Sequence, residues 1–177
     1  MLFWHAGASV AITRYAFRDE RMDLRFLILG AVIADLVDSP IGFAFFSALG
    51  AVRLGLHSLS AAALVMVTVV WTTRRGRPRK RWMPVAIGML LHLFLDAMWN
   101  QPETLWWPFL GFEFSQAAEP TVRLYIQGIL SQWTLWVGEA VGLMYLAVLF
   151  VRGRLAEREQ RREFLATGRI DVPIQQR

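Results

Sequence analysis

Continuous apolar runs separated by blocks of arginine constrain this chain more than any other feature. The runs cover 26–51, 59–73, 84–99 and 126–151, with a shorter one at 1–12, and none alternates as a half-buried strand does. About 20 apolar residues cross a bilayer core, so 126–151 is long enough to span, while 59–73 and 84–99 fit either short spans or buried core helices. The fold class that follows is all-α: an integral membrane bundle of four to five apolar helices, one of them broken, followed by a charged cytoplasmic C-terminal helix. Hydrophobic residues make up 55% of the 177, above the roughly 45–50% of ordinary soluble domains, which points the same way.

Charge placement orients the runs, because Lys and Arg concentrate on the cytoplasmic side of a membrane. The basic blocks are Arg14, Arg18, Arg21 and Arg25; then Arg74, Arg75, Arg77, Arg79, Lys80 and Arg81; then the tail from Arg152. With all of them inside, the first run enters from outside, the later runs alternate, and the C-terminus is cytoplasmic. The opposite-side segments are poor in basic residues: 52–58 carries only Arg53, and 100–123 sets Glu103, Glu113 and Glu119 against Arg123. A net charge of +5 confined to such blocks predicts membrane lipid as a partner and no specific nucleic acid. The apolar start has no basic residue ahead of it and reads as mature chain rather than as a signal peptide. Ser39-Pro40 predicts a break in a helix running from about 24 to 38, because proline lacks the donor and crowds the preceding turn. Trp106, Trp107, Phe109, Phe112 and Phe114 predict an interfacial aromatic loop, which can also serve as a lid.

Inside the runs lie Asp35, Asp38, His92, Asp96 and Glu139, with His5 and His57 at their outer ends. An ionisable residue at the centre of a spanning helix costs about 3 kcal/mol, so four carboxylates cost about 12. Net stability is only about 5–15 kcal/mol. The acids must be protonated, paired, wetted or bound to a cation, and no Lys or Arg lies within the runs to pair them. Cysteine is absent, so a metal ion has only His, Asp and Glu to bind. His92 and Asp96 are i, i+4, and Asp35 and Asp38 are i, i+3, each pair on one helix face.

All three histidines of the chain belong to this set, and the charge-derived topology brings the set to one depth. The expected metal ligands are His5, Asp35, His57, His92 and Asp96, and the expected cofactor is a divalent metal, zinc above others for nitrogen and oxygen donors. Residues 1–151 then form a membrane-embedded metal-site domain and 152–177 a charged tail. Asp38 is a candidate second-layer orienter or general base, with capping of the helix break as the alternative. Arg53, one turn before His57, is placed to hold an anionic substrate group or to reach lipid phosphates. Glu139 either adds a ligand or hydrogen-bonds to a neighbouring helix.

"GMLLHLFLDAMWNQPETLWWPF", with its H-x-x-x-D, together with "RLGLHSL", "GAVIADLVDSP" and "HAGAS", resembles the LexA-binding, inner-membrane-associated (YdjM-like) family of metal-dependent hydrolases. The likeness spans most of residues 1–110. The chain departs from it where Val52 replaces a frequent histidine and where the acids are spaced Asp35-x-x-Asp38 rather than D-x-D. The resemblance implies a multi-pass protein of a bacterial-type inner membrane, and a cytoplasmic regulatory protein as a partner. The ligand order is also similar to the zinc-dependent phospholipase C and single-strand nuclease superfamily. By that analogy Asp35, His57, His92 and Asp96 hold one ion, His5 with Asp96 approaches a second, and the substrate is a phosphoester in a lipid or lipid-linked molecule. The alternatives are a non-catalytic scaffold that binds a regulator around a structural polar or metal cluster, and an ion or proton conductor.

Overall fold

The computed structural model describes residues 1–18, 22–170 and 172. Arg21 of the first basic block and, in the tail, residues 171 and 173–177 lie outside the described residues. The described chain is helical, with no strand. In order it forms α1 (Leu2–Ala11), which ends in a π-helical turn at Ile12–Ala16, then α2 (Leu24–Ala44), α3 (Phe46–Leu49) and a 3-10 turn at Gly55–His57. There follow α4 (Leu59–Thr72), α5 (Arg77–Leu95), a 3-10 turn at Met98–Asn100, α6 (Pro102–Leu105), α7 (Val122–Ser131), α8 (Trp133–Arg152) and α9 (Arg158–Thr167).

Local chemistry explains most of the starts. Asp23 caps α2 by accepting from the Arg25 N–H, Ser58 caps α4 through Ala61, and Thr121 caps α7 through Leu124. Pro78 sits in the first turn of α5, where a missing N–H costs nothing, so the helix reaches back into the basic block ahead of the apolar run. Two expectations are corrected. The helix over Ser39-Pro40 does not break there: α2 continues to Ala44 with Pro40 inside it, and the interruption falls at Phe45, whose φ of −113° and ψ of 22° leave the helical region. One proline forfeits one backbone hydrogen bond, and here the surrounding packing holds the helix through it. The run 126–151 is likewise two helices, because Gln132 is extended, with ψ of 94°, and separates α7 from α8.

Helix α1 is the hub of the bundle, packing on α2, α5 and α8, while α2 packs along α5 and α4 along α5. The closest crossings use glycine. A Cβ on Gly30 would collide with the Val85 backbone and one on Gly88 with the Leu27 and Ala31 backbone, so α2 and α5 meet main chain to main chain. Gly7 and Gly142 do the same for α1 and α8. Such close approach is how helices associate when lipid removes the hydrophobic drive between them.

One apolar core, Val10, Leu24, Leu27 and Leu149, takes in Leu155 and Ile170 of the tail. Arg14 and Arg25 donate to the tail carbonyls of Val172 and Leu165, and Leu24 N–H to that of Gly168. The tail is thus fastened to the ends of α1 and α2.

Among the described residues two helices, α2 and α8, are long and apolar enough to cross a membrane, each with a mean hydropathy of 1.8. Helix α8 exposes Trp136, Val141, Leu143, Met144, Val148 and Phe150, an apolar surface that water does not favour. Helix α4, apolar over its 14 residues, is too short to count among them.

Replacing Gly88 by Val should destabilise the detergent-solubilised protein by about 3 kcal/mol, because the new side chain meets backbone that cannot move aside. Gly138→Ala should be tolerated, since its Cβ would meet only the Trp4 ring at 3.6 Å. Thermal unfolding followed by circular dichroism should show a drop of roughly 10 °C for the first and little change for the second.

Candidate metal centre

Four elements aim side chains at one point. Helix α1 supplies His5, the middle of α2 supplies Asp35, the 3-10 turn supplies His57, and the end of α5 supplies His92 and Asp96. Ligand atoms of Asp35, His57, His92 and Asp96 all lie within 4.8 Å of one another. His5 joins them: its Nε2 is 2.9 Å from Asp96 Oδ1, and its ring centroid is 4.2 Å from that of His92. The helical spacing of His92 and Asp96 does what the sequence promised, bringing His92 Nε2 to 4.0 Å from Asp96 Oδ2. Ala97, the residue after Asp96, has φ of 50°, a left-handed conformation that costs a non-glycine residue about 1 kcal/mol and turns the chain sharply out of α5.

The second nitrogen of each ring decides the chemistry. His92 Nδ1 lies 2.8 Å from the Ala31 carbonyl, His5 Nδ1 contacts the Met1 carbonyl, and His57 Nδ1 lies 2.8 Å from Asp38 Oδ2. A carbonyl or a carboxylate only accepts, so the proton sits on Nδ1 in all three rings and Nε2 is left facing the centre. All three Nε2 atoms are buried without a hydrogen-bond partner. The side chains of His57 and His92 are 0% exposed and that of His5 is 1%, which removes water as the general answer. His57 Nε2 faces Asp35 Oδ1 at 3.5 Å and Asp96 Oδ2 at 3.9 Å. Lone pairs of nitrogen and carboxylate oxygen therefore confront one another, an arrangement that repels unless a cation lies between them. Burial alone disfavours an imidazolium at His57, yet the neighbouring carboxylates of Asp35 and Asp38 lift its pKa above the ordinary value.

Asp38 stands behind His57. It is 3% exposed, and its Oδ2 accepts from His57 Nδ1 and from the N–H groups of Leu54 and His57, both at 3.1 Å. One carboxylate thus folds the 52–58 loop and sets the tautomer of a candidate ligand, as outer-layer acids do at metal sites. It is not a cap on a helix break. Arg53, from outside the apolar runs, donates from Nε to Asp96 Oδ2 at 2.8 Å, and the α-amino group of Met1 contacts Asp35. Glu139 is not part of the centre. It accepts from the Phe3 and Trp4 N–H groups at 3.1 and 3.2 Å, hydrogen-bonding to a neighbouring helix at its N-terminus, where a carboxylate is favoured.

The centre opens into a cavity of about 410 Å³. His5, Asp35, Arg53, Asp96 and Glu119 are among the charged or ionisable side chains that line it; Trp4, Phe43 and Leu135 are among its apolar residues. Tyr125, Gly128, Ile129 and Gln132 close another side. No signal in the sequence marked these last residues, because only the fold brings α7 over the cavity. The aromatic loop stands largely exposed, Phe109 at 80% and Phe112 at 81%, with Trp107 stacked on Phe114.

An all-helical protein with two membrane-length apolar helices and a buried histidine–aspartate centre able to hold a metal ion is the class that fold and site define. The chain belongs to the YdjM inner membrane protein family, whose model matches residues 2–160 and so covers every residue of the centre. No curated protein and no solved structure matches it significantly.

Asp38→Ala should cost about 3 kcal/mol by stranding two backbone N–H groups and an imidazole, and should show as a lower unfolding midpoint. Asp38→Asn keeps the shape but removes the charge behind His57. Titration calorimetry with zinc should then show affinity reduced by about 10–100-fold.

Proposed function

We propose that the protein is a multi-pass inner-membrane hydrolase that uses a divalent ion, most suitably zinc, to cleave a phosphoester or related bond in a lipid or lipid-linked substrate. The observation that carries this reading is the convergence of three buried Nε2 atoms, each on a ring whose Nδ1 is already engaged, upon two carboxylates. Asp35, His57, His92 and Asp96 are the ligands of one ion, and His5 beside Asp96 is placed to approach a second. The donor set is nitrogen and oxygen only, which suits zinc in a catalytic setting. When bound, such an ion supplies Lewis acidity and makes water a nucleophile near neutral pH.

The chain's own groups complete the arrangement. Asp38 orients His57; it does not line the cavity, so it is an orienter rather than a base that meets substrate. Arg53, fixed through Nε by Asp96 and a third exposed, holds the anionic group of the substrate. A cavity lined by both charged and apolar side chains suits the headgroup end of an amphiphile.

For topology we propose that α1, α2, α4, α5 and α8 are embedded in the membrane as one multi-pass bundle, spanned in full by α2 and α8, with the C-terminus cytoplasmic. The contacts of Arg14 and Arg25 with the tail support this, since they gather basic ends from different helices at one end of the bundle. The compactness of the centre speaks against a conductor, which needs acids at successive depths.

Metal analysis tests the reading. The wild-type protein purified in detergent should carry zinc or a similar divalent ion and turn over a chromogenic phosphodiester; His92→Ala should lose both while keeping its helical spectrum. Metal-free wild-type protein that also fails to take up zinc would contradict the reading. A regulator-binding scaffold would instead keep its partner after His92→Ala and lose it when the residues after Arg152 are removed.

A further inference from the structure

Tyr125 has no part in the centre described above, yet its surroundings are those of a working group. It sits on α7, lines the cavity, and has its ring against those of Phe43 and Phe46, with centroids 6.0 and 6.1 Å away. Two aromatic neighbours fix the direction of a half-buried phenol that makes no hydrogen bond among the described residues. The charges acting on it line the same cavity: Arg53, Asp96, Glu119 and Asp35. Burial, more than any of these charges, pushes its pKa above the ordinary value, so at neutral pH the hydroxyl keeps its proton and is a donor. Arg53 offers the same kind of vacancy. Only its Nε is engaged, with Asp96, and among the described residues its two terminal nitrogens have no partner.

We infer that Tyr125 and Arg53 form a clamp for a tetrahedral oxyanion, the phenol O–H and the terminal guanidinium nitrogens each donating to phosphoryl oxygens of the substrate. The inference rests on the hydrolase reading and deepens it, naming Tyr125 as an anion-binding residue and a phosphoryl group as the part of the substrate it holds. An oxyanion suits these donors better than a neutral group. Charge-assisted hydrogen bonds are the strong ones, and a guanidinium already held on one edge presents its remaining N–H groups in a fixed geometry. The phenol adds what arginine lacks, a donor from a separate helix. The grip then depends on α7 being in place over the cavity.

The test uses inorganic phosphate as probe and the full chain in detergent, loaded with zinc, with zinc content measured on the same samples. Tyr125→Phe keeps the ring and its aromatic contacts, so zinc content and unfolding midpoint should match wild type. Its Kd for phosphate by titration calorimetry should rise about tenfold, the loss of one hydrogen bond to a charged group. An unchanged Kd in the variant would overturn the clamp, as would a zinc-loaded wild type that binds no phosphate; in both cases zinc retention would leave the metal-centre reading standing. Wild-type protein that takes up no zinc would bring down both.

Discussion

The arrangement depends on one electrostatic constraint: three buried imidazole nitrogens without hydrogen-bond partners are held face to face with two largely buried carboxylates. Each acceptor would be harmless at a surface. Inside the bundle they face one another, and their mutual repulsion is relieved only by positive charge at the centre. Part of that charge is built in, as Arg53 against Asp96, but the three Nε2 atoms have nothing comparable. The fold spends much of its precision on them. The Ala31 carbonyl, the Met1 carbonyl and Asp38 each take one Nδ1, leaving the opposite nitrogen pointed inward.

That precision comes from helices that meet at the backbone. Gly30 with Gly88 draws α2 onto α5 close enough for the Ala31 carbonyl to reach His92, and Gly7 with Gly142 seats α1 so that His5 completes the group. Glu139 pins the start of α1 from α8, one helical turn before the Gly142 contact. The 52–58 loop has little regular structure beyond its 3-10 turn, so Asp38 supplies its order from α2. Packing and chemistry are therefore joined: the residues that place the helices also decide which nitrogen of each imidazole is free.

Much of the centre was legible in the sequence because its signals are local or categorical. The i, i+4 spacing of His92 and Asp96 survives folding in any helix, and three histidines among apolar runs stand out by rarity. What stayed hidden depends on long-range contact. Arg53 meets Asp96 across 43 residues, so the acids seemed to lack a basic partner. Backbone carbonyls belong to every residue and carry no pattern, so the partners of His5 and His92 could not be named. Glu139 looked like a spare ligand, since a carboxylate among apolar residues reads the same whether it faces a metal or the start of another helix. Pro40 misled for a different reason: the proline rule weighs one lost hydrogen bond, and the packing of α2 on α5 outweighs it. The separation of α7 from α8 at Gln132 was equally invisible, and with it the way Tyr125 comes to face the cavity.

The central claim, that a cation belongs among these nitrogens, is most directly tested by X-ray absorption at the zinc edge on the zinc-loaded protein. The account predicts a shell of nitrogen and oxygen at about 2.0–2.1 Å with the outer-shell scattering of at least two imidazoles, lost when His57 and His92 are both replaced. A shell without imidazole, or one unchanged by that double replacement, would contradict it.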